Sequence, residues 1–272
     1  MNNLDQQFQR FKKVMIDINN YQSFTRSLSN KLSTYKQELE KNNIIKKRSD
    51  MTENDWSSHI NFSFKDYSTG QIKSLETSKF KIEDSERIEL ELINRQYQFM
   101  LLNAFEAFES YLKSANIFLN KLENENGFSS TKFIVKLHKA IPALSLIIKI
   151  RSESDSSRFL TELDLFLTFG LIEQLRHQIA HTSGYAEDKP KFIDFWLRRI
   201  GSYRNGQIEL EAMNILDYFF GVNEYKNWIC LTDVRDKENA FRYDDRLGTL
   251  IEELTSYTIF IHAHIKSANA VS

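Results

Sequence analysis

The chain has 272 residues, with 36 Lys and Arg against 37 Asp and Glu, and is 41% apolar and 27% charged. That length buries a core without covalent staples, and a net charge near zero excludes a global basic field, so any nucleic-acid partner must be held by a local patch. Two prolines and eight glycines predict a mostly helical, all-α fold, while the single Cys230 excludes a disulfide framework and makes the cytoplasm the expected compartment.

Residues 4 to 39 carry Leu4, Phe8, Phe11, Met15, Ile18, Tyr21, Phe24, Leu28, Leu32, Tyr35 and Leu39. These three- and four-residue steps predict a long amphipathic helix, either packed in a core or free as a coiled-coil arm. No positively charged flank precedes an apolar run at the N-terminus, so no secretory signal is expected. A polar break follows from Lys41 to Asp55. The alternation His59-Ile60-Asn61-Phe62-Ser63-Phe64, with Thr69-Gly70 as a turn, predicts a small β-hairpin near 59–82.

Residues 84 to 123 hold the helical period through Leu90, Ile93, Tyr97, Leu101, Ala104, Phe108, Tyr111, Ala115, Phe118 and Leu122, and Asn126-Gly127 stops it. A further helix is expected over 131–151, kinked or restarted at Pro142. Its apolar stretch Ile134 to Ile150 is interrupted by Lys136, His138 and Lys139 and is too short for a bilayer span, so it reads as a core helix without membrane contact. Residues 156–182 predict another helix, on the stripe Phe159, Leu163, Phe166, Leu167, Leu171, Leu175 and Ile179, capped by Asp155 or Ser156 and ended by Gly184. The stretch 186–240 is less periodic, with Pro190 suited to the first turn of a helix holding Phe192, Phe195 and Trp196. A closing helix over 242–267 presents Leu247, Leu250, Ile251, Leu254, Tyr257, Ile261 and Ile265. The expected organisation is an N-terminal helical arm and linker over 1–83 and a helical domain over 84–272 with an insert at 186–240.

The chemistry concentrates in Arg176-His177-Gln178-Ile179-Ala180-His181. With Leu175 at zero and about 100° per residue, Arg176 lies near 100°, His177 near 200° and His181 near 240°, all on the side away from the core. The motif is similar to the R-x4-6-H signature of the HEPN superfamily (higher eukaryote and prokaryote nucleotide-binding domains), and Phe105-Glu106-Ala107-Phe108-Glu109-Ser110-Tyr111-Leu112 resembles the acidic-aromatic helix that many members set against it. The resemblance spans roughly residues 84–184 plus the last helix. It implies a HEPN-like helical bundle and a metal-independent endoribonuclease, active as a homodimer on RNA, often in toxin–antitoxin pairs or antiviral defence, with an antitoxin or other regulatory protein as partner. Arg176 matches the motif Arg, His181 the motif His, and His177 the polar position after the Arg. Some members continue to R-x4-H-x-Y. Here that position is Ser183 and the nearest tyrosine is Tyr185, which departs from the pattern regulated by a nucleotidyltransferase.

RNA carries its own nucleophile, the 2′-OH, so cleavage without metal or cofactor needs a base titrating near neutrality and a fixed cation for the phosphorane. An imidazole meets the first need, at His181, and a guanidinium the second, at Arg176. His177 is placed to polarise the site or protonate the leaving oxygen, and Glu106 and Glu109, three apart, to orient Arg176 from the neighbouring helix. Plainer roles fit the same side chains: a bundle salt bridge for Arg176, helix-end capping for the histidines, a solvated face for the glutamates.

Two further arrangements stay open. Glu173, His177 and His181 at i, i+4, i+8 share a helical face that suits a metal, although the sequence near them offers no clear further ligand set. A non-catalytic helical module that binds a protein partner or a nucleotide uses the same bundle and N-terminal arm. His262 and His264, two apart, point to different sides of a helix and fit packing or solvent better than a metal. Lys46-Lys47-Arg48 and Arg198-Arg199 with Arg204 are candidate RNA-contacting patches.

Overall fold

Apolar residues spaced three and four apart build most of the computed structural model, which describes residues 3–41, 62–75, 85–119, 130–141, 165–200, 214–232, 234–235 and 243–270. The described residues are mostly helical: α1 Asn3–Lys41, α2 Ser85–Phe118, α3 Ser130–Ala140, α4 Leu165–Thr182, α5 Lys189–Ile200 and α6 Arg246–Ala270, with a helical stretch over 214–219 and a 3-10 turn at Asn223–Tyr225. Two antiparallel strand pairs interrupt them, β1 Phe62–Lys65 with β2 Ile72–Leu75, and β3 Val234–Arg235 with β4 Tyr243–Asp244. The second pair has no counterpart in the sequence reading, since two-residue strands carry no alternation to detect. The expected caps at 155 and 156, and residues 159 and 163 of the expected 156–182 helix, lie outside the described residues. So do Pro142, the Asn126-Gly127 stop, Lys46-Lys47-Arg48 and Arg204, and nothing is described of the Arg198 and Arg199 side chains.

Two compact units divide the chain, Met1–Tyr21 with Asn94–Ser272, and Gln22–Ile93. In the larger unit most of the period-four stripes face inward, while Tyr21 and Phe118 stay exposed. Leu4, Phe11, Met15 and Ile18 of α1 are buried, as are Leu101, Phe105, Phe108 and Leu112 of α2 and Leu171, Leu175 and Ile179 of α4. An aromatic centre joins α2, α4 and α6: Phe108 stacks on Phe169 at 5.3 Å, and Phe169 meets Tyr257 at 4.8 Å. Such pairs add about 0.5–1.5 kcal/mol each beyond the area they bury.

Helix ends follow local chemistry. Asp188 caps α5 through a 3.1 Å bond from Lys191 N, with Pro190 in the first turn, where its missing N–H costs nothing. Asp245 caps α6 by accepting from Gly248 N at 2.6 Å. A Cβ at position 248 would press on that carboxylate and displace the capping side chain. Trp196 of α5 is fully buried and donates its indole N–H to Leu167 O at 2.9 Å, fixing α5 on α4.

The smaller unit holds the hairpin in the register Phe62↔Leu75 to Lys65↔Ile72. Asp66 turns it: its Oδ1 accepts from Ser68 N at 2.8 Å, its other oxygen pairs with Lys73, and Gly70 takes φ +70. These bonds hold the Asp66 carboxyl well below the usual carboxylate range. In the same unit Ser29 Oγ donates to Glu89 at 2.7 Å.

Candidate active site at the end of helix α4

Helix α4 buries Leu171, Ile172, Leu175 and Ile179 and leaves Arg176, His177 and Gln178 half-buried and His181 exposed in its last turn. This is the division expected of a helix with one apolar face. Its end is built by two consecutive left-handed residues, Ser183 at φ 56 and Gly184 at φ 82. Gly184 lies just past the helix end, where its spacing predicts it, and Ser183 shares its conformation without any signal in the sequence. Gly184 N reaches back to Gln178 O at 3.3 Å, and Gln178 Nε2 donates to Tyr185 O at 2.6 Å. The left-handed dihedral favours glycine at 184, and a Cβ there would press on the amide end of Gln98 and disturb its bond to Ile229 O.

Arg176 projects toward α2, where its guanidinium carbon lies 5.7 Å from the centroid of the buried Phe105 ring. Glu109, half-buried on the same helix, has its carboxyl pushed up by burial and drawn back down by Arg176 and Lys113. The two glutamates expected to orient Arg176 therefore have different surroundings. Glu109 lies in the field of Arg176, whereas Glu106 is exposed and lines a groove of about 300 Å³ between α1 and α2, beside Arg10, Asp17 and Asn103.

His177 and His181, one helical turn apart, have ring centroids 4.4 Å apart and planes inclined at 52°. Glu173, the third member of the i, i+4, i+8 set, is buried, and its Oε2 accepts from Ser130 Oγ at 2.9 Å. Its carboxylate is thus engaged inside the bundle, and no three His, Cys, Asp or Glu side chains among the described residues gather as a metal-ligand set. Chemically, the end of α4 offers a cation held over an aromatic ring, a pair of adjacent imidazoles, and an approach from solvent at His181.

The segment that follows is tied to this end by backbone. Ala186 N donates to Asn227 O and Ile229 N to Gly184 O, each at 2.8 Å, so part of the expected insert is structurally continuous with the motif. Asn94 and Gln98 of α2 clamp the junction by donating to Ile229 O at 2.9 and 2.8 Å. Arg95 donates to Ser183 O and lies 5.0 Å over the Trp228 ring, whose edge-on neighbour at 5.3 Å is Tyr185. Trp228 and Arg95 were missed in the sequence, which holds no signal joining positions 95, 185 and 228.

His262 and His264 have different surroundings. His262 is buried, stacked on Phe8 at 3.8 Å, with Nδ1 3.2 Å from the Tyr111 hydroxyl and Nε2 3.4 Å from Asp5 Oδ1. Burial pulls its pKa below the usual 6.5, against the pull of Asp5, which itself pairs with Lys266 at 2.8 Å. His264 is half-buried, stacks on Phe260 at 4.1 Å and bonds the Phe260 carbonyl at 2.9 Å.

Fold and site together define a mostly helical protein with a polar Arg-His-His cluster at one helix end, and among the described residues no helix is long and apolar enough to cross a membrane. Comparison of the chain with protein-family models, with curated proteins and with solved structures found no match in any of the three.

Proposed function

We propose that the chain is a metal-independent endoribonuclease of HEPN type that cuts RNA at a composite site formed by two copies of α4. The observation that carries this reading is the conjunction on one helix end of Arg176, held against Phe105 and near Glu109, with adjacent His177 and exposed His181. His181 accepts the proton of the 2′-OH as that oxygen attacks phosphorus. Arg176 binds the charged phosphorane through its planar fork. His177 returns a proton to the departing 5′ oxygen, leaving a 2′,3′-cyclic phosphate on one product and a free 5′-hydroxyl on the other. Because one helix turns Arg176 and His181 about 140° apart, a symmetric pair brings the guanidinium of one copy to the imidazole of the other. The resemblance adds a role in toxin–antitoxin pairing or antiviral defence, with an antitoxin or regulatory protein as partner.

Incubation of the purified protein with total RNA in the presence of EDTA tests the reading, with Arg176→Ala and His181→Ala as controls. Cleavage by the native chain alone supports it, and a variant that still cuts at the parental rate removes it. A second reading, a non-catalytic interaction module, draws on Ile16 and Tyr21 of α1, 60% and 61% exposed. Large apolar side chains left to solvent on one helix suit a protein partner. An inert protein that captures such a partner through α1 would select it.

A further inference from the structure

We infer that Tyr185, with Trp228 edge-on against it, is a stacking platform for an unpaired nucleobase of the strand bound at His181. The inference rests on the nuclease reading for the chemistry and on the aromatic cluster for the ligand. Tyr185 lies four residues beyond His181, and the residue is 36% exposed although its ring contacts another aromatic.

Its backbone is held at both ends: Tyr185 N donates to Thr182 O at 3.1 Å, while its own carbonyl accepts from Gln178 Nε2 at 2.6 Å and lies 2.6 Å from Thr182 Oγ1, so the residue is tied to the turn that follows His181. Trp228 supports it from one side in an edge-on contact at 5.3 Å, and Arg95, over the far ring of that pair, is anchored by Gln98 Oε1 at 3.1 Å and by Ser183 O. A partly exposed tyrosine set edge-on against a Trp, instead of being folded into the core, suits a base, which gains a flat partner at little entropic cost. The electron-rich ring receives any of the four bases, so the platform predicts tolerance of sequence with discrimination against duplex, whose bases are already stacked on each other.

Binding is measured by fluorescence anisotropy with a labelled 2′-O-methyl RNA strand, which lacks the 2′ nucleophile and stays intact. Partners are the same strand annealed to its complement and the same strand with abasic sites. The full-length native chain is compared with Tyr185→Phe and Tyr185→Leu, each checked by circular dichroism and thermal melting. The expected result is that Tyr185→Phe binds within about twofold of native, while Tyr185→Leu, which keeps bulk but not the π-face, binds about tenfold more weakly. Abasic substitution should weaken native binding by a similar factor and leave the Leu variant nearly unchanged, a coupling that a merely structural tyrosine would not produce. Equal affinity of Tyr185→Leu for intact and abasic strands, at native strength, overturns the platform, as does tighter binding of duplex. Cleavage of unmodified RNA is followed in parallel. Native cleavage with Tyr185-independent binding removes the platform and keeps the nuclease, whereas Tyr185-dependent binding without cleavage keeps the platform and removes the nuclease.

Discussion

Two regions of the larger unit each hold histidines at short spacing, and their surroundings differ in access and enclosure. At the end of α4, His177 and His181 lie side by side with His181 open to solvent and Arg176 on the same helix. On α6, His262 is enclosed by Phe8, Tyr111 and Asp5, where it completes buried hydrogen bonds. An imidazole that must exchange protons with substrate needs access, and one that fastens α1 to α2 and α6 needs enclosure. The difference teaches that the residue type carries no role until burial and neighbours are known.

The largest expected effect breaks the comparison at its functional side. His181→Ala should lower RNA cleavage by about 10²-fold or more while changing unfolding free energy by less than about 0.5 kcal/mol, because the residue is exposed. Single-turnover cleavage and urea unfolding measure the two. His262→Ala should do the reverse. It leaves the Tyr111 hydroxyl without its partner and removes the stack on Phe8, at a cost of about 2–3 kcal/mol, with cleavage per folded molecule unchanged.

Next in size is Gly184→Ala, expected to destabilise by about 1–3 kcal/mol from the left-handed dihedral, with the collision on Gln98 added. Since Gln98 holds the Ile229 carbonyl, slowed cleavage should accompany the loss, and protease susceptibility near the junction reports it.

The smallest effect sharpens the comparison through pH. Because burial lowers the pKa of His262 below 6.5, the folded state binds its proton less readily than the unfolded chain. The stability it contributes is fully present above about pH 6.5 and falls as pH drops through the folded-state pKa. Asp5, whose carboxyl is held low by its bond to Lys266, loses its contribution further down, below its ordinary value of 3.8. Melting curves between pH 7 and 5 should therefore show a downward slope toward acid in the native chain that is reduced in His262→Gln.

Helical periodicity made α1, α2, α4 and α6 readable in the sequence, because each buries one stripe and repetition every three to four residues is a local property. Pro190 and the Thr69-Gly70 turn were readable for the same reason, through local dihedral demands. What could not be read depends on contacts between distant positions. Glu106 and Glu109 differ by three residues yet meet different neighbours, a groove toward α1 in one case and Arg176 in the other. Ser29 with Glu89 and Arg95 with Trp228 join chain segments that no pattern links. The stretch 214–232 looked like an insert because it lacks a period, but backbone bonds from Asn227 to Ala186 and from Gly184 to Ile229 join it to the end of α4. The residues of the motif were visible from their types and spacing, while the enclosure of Glu173 against Ser130 appears only once the helices are packed.

The most direct measurement is a time course of total RNA with the native protein and His181→Ala, each in EDTA. Cleavage by the native chain should persist in chelator, end in 2′,3′-cyclic phosphates and be absent from the variant. Equal cleavage by both proteins, or cleavage by the native chain that stops when chelator is added, would contradict the nuclease reading.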